Sequence, residues 1–380
     1  APSEEPTATP AATEVAELVE GETPEPTATP EPTPELTIRP TNDETLVVIA
    51  PEHPTRLVPG DNLNATERLL VDVLYDPLYR LDKDMNPVPE LARTMPVVKK
   101  VDGLYEWSIP IKADARFHSG QKVTASDVKF SLRMAASHSC PLGRSLCEAV
   151  NTYMVDEPEL EDNVVTITLS EPYAPFLTEV LAQLPILSQD DVKKATAKMV
   201  QAADRLSENR PDRLISRIRE SILRDVCTDP EPPDGCRLAD FRSSLEGVFK
   251  RAEIDLPSQS PYTDATGYFD ENAYLAELLD RLAALAQVFD SGAQDRNSAA
   301  LGLLDATVTP FGSGPYELVR IRDDGTYVLK ANPKHTRSVA KIKRMQIRIE
   351  PDAEIATTQL LNGAADWVLE VRSDQADIID

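Results

Sequence analysis

Short strand-like runs open the folded part of this chain, and long helical periodicities fill its middle. Thr45-Leu46-Val47-Val48-Ile49-Ala50 is an apolar run followed by Pro51, Pro54, Pro59 and Gly60, the pattern of a buried strand. Residues 65–75 place Leu69, Leu70, Val73 and Leu74 on one face, which predicts a helix capped by Asn64 or Thr66. Residues 105–111 and 164–169 alternate as strands do. Between them Ser119-Gly120 signals a turn. Thr124 with Asp127 resembles a capping box in which an acid replaces the usual Glu or Gln. A helix over 125–136 should follow, burying Val128, Phe130, Leu132 and Ala135, and Pro172 to Leu177 should open another.

From about 190 to 305 the texture becomes helical. Residues 192–206, 213–226, 238–252 and 272–289 each repeat apolar positions at i, i+3, i+4 and i+7, with Pro-rich breaks between some of them. Four helices are therefore expected as an inserted bundle. Strand texture returns at 316–318, 326–330 and 345–349, and a short helix over 354–361 ends at Asn362-Gly363. The fold class is mixed α/β, with a helical block inside it.

Residues 1–44 are a different material. Nine prolines fall there, Glu5-Pro6-Thr7-Ala8-Thr9-Pro10 recurs as Glu25-Pro26-Thr27-Ala28-Thr29-Pro30, and eleven acids face one base, Arg39. Such a segment buries too little apolar surface to offset its ordering entropy, and its prolines keep it extended. It reads as a disordered tail, either without a role or as a tether holding a domain off a surface. The whole chain has 380 residues, room for two or three domains, and a net charge of -25. That charge argues against nucleic-acid binding and against docking on anionic lipid through a basic patch. No run approaches the roughly 18 apolar residues of a membrane-spanning helix. The chain opens at Ala1 with neither the basic nor the apolar region of a secretory leader, so a leader is expected only as one removed upstream.

Catalytic signatures are missing from the sequence. Gly312-Ser313-Gly314 lacks the spacing of a nucleophile elbow, and there is no phosphate-binding loop or H-E-x-x-H. Ser126 and Lys129 match S-x-x-K, but no S-D-N or K-T-G follows, and Ser126 falls in the first turn of a helix. No enzyme activity is expected, and no cofactor. His53, His118, His138 and His335 are scattered along the chain and give no metal-ligand cluster, so no metal site is expected. Cys140 with Cys147, and Cys227 with Cys236, form two close pairs that bracket turn residues and lack the C-x-x-C spacing. Two local disulfides in an oxidising compartment fit this arrangement; reduced thiols and a four-cysteine metal site stay open.

Two stretches carry a family resemblance. The first runs from Gly103-Leu104-Tyr105-Glu106-Trp107 through Phe117-His118-Ser119-Gly120 to Val123-Thr124-Ala125-Ser126-Asp127-Val128-Lys129-Phe130. It resembles the signature of the oligopeptide/dipeptide/nickel-binding family of ABC-importer solute-binding proteins. The second, Phe311-Gly312-Ser313-Gly314-Pro315-Tyr316, is similar to that family's Gly-Thr-Gly-Pro-Tyr segment. Residues 45–50, 73–81 and 361–366 match further parts in the family's order.

The resemblance implies type II periplasmic-binding-protein-like lobes over 45–189 and 306–380, interrupted by the helical block at 190–305 and preceded by the tail at 1–44. A third lobe would begin near Asp380, so the chain reads as an incomplete binding protein. A peptide or other small solute would lie between lobes and pass to an ABC permease outside the cytoplasm, in the periplasm or at the outer face of the membrane. The tail would be the spacer of a lipid-anchored protein whose lipid-bearing cysteine lies upstream of Ala1. His53, Pro54 and Arg56 in the loop after the first strand, with Trp367 and Glu370, are the implied solute contacts. Gly312, Gly314 and Pro315 would shape a turn near the hinge through backbone angles that other residues resist. The competing reading is a non-transport interaction module whose helical block binds a protein partner.

Overall fold

The computed structural model describes residues 44–207 and 238–371, apart from short gaps at 252, 258, 260–261, 264–266, 291–294 and 307. The tail up to residue 43, the helix expected over 213–226, and Cys227 and Cys236 lie outside the described residues.

The apolar run Thr45–Ala50 is strand β1, an inner strand of a five-stranded sheet. It pairs in parallel with β10 (Arg344–Ile349) on one side and β11 (Trp367–Val368) on the other. β9 (Tyr327–Ala331) and β8 (Tyr316–Ile321) extend the sheet from β10 in antiparallel order. β1 is apolar at successive positions because both of its faces are covered. Val48 and Ala50 face the main core with Leu329, Met345 and Ile347. Ile49 faces the other way, against Ala356, Ala365 and Val368. Ala356 belongs to α8 (Ala353–Leu361), the crossover from β10 to β11. Asp352 caps that helix by accepting from the amides of Glu354 and Ile355.

A second sheet is antiparallel, in the order β4-β5-β7-β6. Its strands are Val97–Val101, Leu104–Pro110, Val164–Leu169 and Glu159–Glu161 for β4, β5, β7 and β6. The alternation is visible on β7, where Val165, Ile167 and Leu169 are buried while Thr166 and Thr168 are not. That apolar face shares its core with Val128 and Leu132 of α2 (Ala125–Ala136). The Thr124–Asp127 capping box forms: the Asp127 carboxylate accepts from the Thr124 amide at 2.9 Å and its hydroxyl at 2.6 Å. The other Asp127 oxygen accepts from the amide of Gln189, the first residue of α4 (Gln189–Ser207). A small two-stranded sheet pairs β2 (Tyr79–Leu81) with β3 (Pro87–Pro89).

The segment after Pro175 is a six-residue π-helix, Phe176–Leu181, starting later than the helix expected from Pro172. It buries Phe176 edge-on to Trp107, with ring centroids 6.0 Å apart. The helical block has a core of its own. Leu245, Val248 and Phe249 of α5 (Leu238–Arg251) pack with Leu275, Leu278 and Leu282 of α6 (Glu271–Asp290). The block joins the main core at its two ends, through Val192 at the start and, at the other end, through Leu301, the last residue of α7 (Arg296–Leu301), and Leu304.

Cys140 and Cys147 are joined by a disulfide. Cys147 lies in α3 (Arg144–Tyr153), a helix not evident from the sequence, which starts after Gly143 at φ 111°. By the chain-entropy argument, closing so short a loop contributes about 2.5 kcal/mol. Replacing both Cys140 and Cys147 by Ala should therefore lower the urea-unfolding free energy by about that amount. An unchanged midpoint would show that the bridge adds nothing to the fold.

Candidate functional site

Three parallel strands end on one edge of the five-stranded sheet. The Glu350 amide donates to the Ala50 carbonyl at 2.9 Å, and the Leu369 amide to Ile49 at 3.0 Å, so β10 and β11 finish level with β1. The chain leaves that edge in three segments, at 51–63, 350–352 and 369–371. In open α/β sheets the crevice outside such carboxyl ends is where ligands are met. The edge is acidic: Glu52, Asp352 and Glu370 are exposed and Glu350 is half-buried.

The residues implied by the resemblance divide here. His53 is exposed, and its ring lies against Gly325 in the β8–β9 turn, where a Cβ would stand 3.0 Å from Cε1. Glu370 is exposed at the same edge. Trp367 is 44% exposed at the start of β11, held there because Asp366 exchanges hydrogen bonds with Val47 through both carboxylate and amide. Pro54 is buried, and Arg56 folds its guanidinium over Gly60. The structure thus presents His53, Trp367 and Glu370 to solvent and turns Pro54 and Arg56 into the loop's own packing.

Glu67 was not among the implied residues, yet it fixes this loop. One of its carboxylate oxygens accepts from the Thr55 amide and hydroxyl, both at 2.7 Å, and from the Arg56 amide at 3.2 Å. The other accepts from Asn64, closing a capping box on α1 (Ala65–Leu74). Burial opposes ionisation of Glu67, but the Thr55 hydroxyl together with the Asn64, Thr55 and Arg56 amides outweighs it and holds the carboxyl below its usual value. The Asn64-x-x-Glu67 spacing was the readable signal.

The two stretches that carried the resemblance meet in space. The His118 amide donates to the Gly312 carbonyl at 2.8 Å, and its ring Nε2 donates to the Gly314 carbonyl at 3.0 Å. Burial pushes the His118 pKa down, against the pull of the Gly314 carbonyl. Asn332 joins them, its side chain donating to Gly314 and its amide to Pro315. The reason for glycine differs from the expected one. Neither Gly312 nor Gly314 has a positive φ; both are needed because the backbone passes against the end of α1. A Cβ on Gly314 would stand 2.5 Å from the Leu74 carbonyl carbon. Ser126 is exposed, while Lys129 pairs with Glu157 at 3.2 Å.

One of the scattered histidines meets two carboxylates in space. His335 is buried beside Asp76 and Glu90, with Nε2 3.3 Å from Asp76 Oδ2 and 3.5 Å from Glu90 Oε1. Burial opposes a charge on His335, but the hydrogen bond and charge of Asp76, with Glu90, outweigh it and raise the pKa. Arg80 lies 2.9 Å from the other Glu90 oxygen. Sequence spacing misses this group because His335 lies 259 residues after Asp76.

The family model described as bacterial extracellular solute-binding proteins, family 5 middle, matches residues 86–206 and 258–380. Among solved structures, HbpA2 from Haemophilus parasuis is similar with a TM-score of 0.52 and 16% identity, over 88% of this chain and 49% of that one. A dipeptide binding protein from Pseudoalteromonas sp. SM9913, in complex with Met-Leu, gives 0.51 and 13%, over 88% and 49%. NikZ from Campylobacter jejuni, in complex with Ni(L-His), gives 0.50 and 18%, over 88% and 45%. The chain therefore spans about half the length of these structures. A search of curated proteins finds no match. The family match extends over more than half of the chain, interrupted only within the helical block, and the chain belongs to the family 5 extracellular solute-binding proteins.

Proposed function

We propose that this chain supplies one side of the solute cleft of an ABC-importer receptor, and that the solute is a short peptide with a free amino terminus. The acidic edge where β1, β10 and β11 end carries the reading. Glu52, Glu350 and Glu370 suit an ammonium group, and Trp367, exposed on β11 of the same sheet, offers an apolar surface. Exposed main chain beyond the strand ends can bond a peptide backbone without regard to its side chains. The Met-Leu complex of a structurally similar protein supports this solute class. Binding would occur outside the cytoplasm and without turnover, with delivery to a permease.

The test uses full-length protein from its natural source. Native mass spectrometry should release a small bound mass on activation. The emptied protein is then titrated calorimetrically with di- to pentapeptides, each with a free and an acetylated amino terminus. Acetylation is expected to weaken binding about tenfold or more, the equivalent of one charge-assisted contact. Glu370→Gln should reproduce that loss for the free peptides and leave the acetylated ones unaffected. Equal affinity for both peptide forms would remove the ammonium role of this edge, and no peptide binding at all would overturn the reading.

A further inference from the structure

We infer that Asp76, Glu90 and His335 form a buried structural site for a divalent transition ion of the zinc class, separate from the solute edge. Their ligand atoms all lie within 4.8 Å of one another, and the three side chains are almost wholly buried. His335 Nδ1 lies 3.2 Å from the Ser338 carbonyl oxygen. A carbonyl only accepts, so Nδ1 carries a proton, and Nε2 points away from it toward the two carboxylates, where it also lies 3.4 Å from Asp76 Oδ1. That is the usual orientation of a ligating imidazole, its second nitrogen held by the backbone. Two buried carboxylates facing one imidazole nitrogen need a cation among them, either a proton on Nε2 or a metal ion.

A proton on Nε2 can take that role, in the hydrogen bond to Asp76, but the contacts are long for one. A charge-assisted N–H···O bond closes to roughly 2.7–2.9 Å. Here the separations are 3.3 Å to Asp76 and 3.5 Å to Glu90. Ligand bonds of roughly 2.0–2.1 Å in a tetrahedron place neighbouring ligand atoms roughly 3.3 Å apart. Asp76 Oδ2 and Glu90 Oε1 are buried with no hydrogen-bond partner beyond the long approach of His335 Nε2, which leaves them open to a metal. The donor set, one imidazole and two carboxylates, suits zinc.

The surrounding charges are compatible. Arg80 and Arg337 both approach the second Glu90 oxygen, at 2.9 and 3.9 Å, and leave Oε1 to the site. His118 faces the group as well, and burial favours its neutral form. The three ligands sit on backbone fixed by hydrogen bonds. The Asp76 carbonyl accepts from Ile186, the Glu90 amide donates to Leu78, and the His335 amide donates to Asn332. A metal here would tie the start of the folded region to the β9–β10 connection, so its binding energy would add to folding.

The full chain, stripped with a chelator, is dialysed against zinc sulfate, and the metal content and zinc-edge X-ray absorption are measured. We expect one zinc per chain, a raised thermal midpoint, and a first shell of one imidazole nitrogen with carboxylate oxygens and no sulfur. His335→Gln should weaken binding about a hundredfold or more, whereas His138→Gln on the surface should retain it. If His335→Gln does not fold, the wild-type absorption spectrum decides alone. Zinc held equally by His335→Gln, a shell containing sulfur or lacking imidazole, or less than one zinc per chain would each overturn the assignment.

Discussion

Gly312→Ala is expected to cost about 3 kcal/mol or more, a large part of the stability of a domain this size. The added methyl group would fall on the Leu74 carbonyl oxygen and stand 2.8 Å from the carbonyl carbon. Both atoms are backbone, so no rotamer change relieves the clash. Leu74 cannot retreat, because Leu70 and Leu74 are fully buried and the Leu74 carbonyl also accepts from the Gly314 amide at 3.0 Å. The loop cannot retreat either without breaking its bonds to His118. Gly302→Ala is the control: its φ is -63°, its nearest neighbour would be 3.6 Å away, and the change should stay within about 0.5 kcal/mol. Urea unfolding followed by the fluorescence of the buried Trp107 measures both. Equal midpoints for the two variants would show that the 311–315 loop does not press on α1.

That contact also shows where sequence reading succeeds and where it stops. Gly312 and Gly314 stood out as a motif, but their φ values and the Leu74 carbonyl that excludes a side chain are properties of the fold. Local signals performed well. The apolar run of β1, the alternation of β7, the Thr124–Asp127 box and the Asn362-Gly363 stop all mark elements within a residue or two. Short edge strands such as Glu159–Glu161, all exposed, offer no periodicity to read. Helix α3 was hidden because Cys140, Pro141 and Gly143 suggested only a turn, and the helix begins just after it. At the carboxyl edge of the five-stranded sheet, the family pattern pointed to His53 and Glu370, which the structure leaves exposed. It did not separate them from Arg56, whose side chain turns back on Gly60. The Asp76–Glu90–His335 group, joined across 259 residues of sequence, was beyond any spacing argument.

Glu67→Ala should release the loop that carries His53 at a cost of about 3 kcal/mol. The Glu67 residue is only 4% exposed, and its carboxylate accepts four hydrogen bonds, three from backbone amides. Hydrogen bonds to a charged group contribute about 1.5–3 kcal/mol each in mutational series, and donors left buried without a partner add their desolvation cost. The sum is tempered because Thr55 is exposed and its amide can turn to water. The same group sets a pH dependence. Its folded pKa lies below the unfolded value of 4.5, so its contribution is complete above that value and is lost as pH falls through the folded pKa. Hydrogen exchange at the Thr55 and Arg56 amides should therefore show protection at pH 6 that falls progressively below about pH 4.5. In Glu67→Gln, a neutral acceptor replaces the anion, and protection should be weaker at pH 6 and insensitive to acid over that range. Protection that falls with acid equally in both proteins would assign the pH dependence to another carboxylate. Protection unchanged in Glu67→Ala would show that the loop is held by Tyr75, whose hydroxyl donates to the Leu57 carbonyl at 3.1 Å, and not by Glu67.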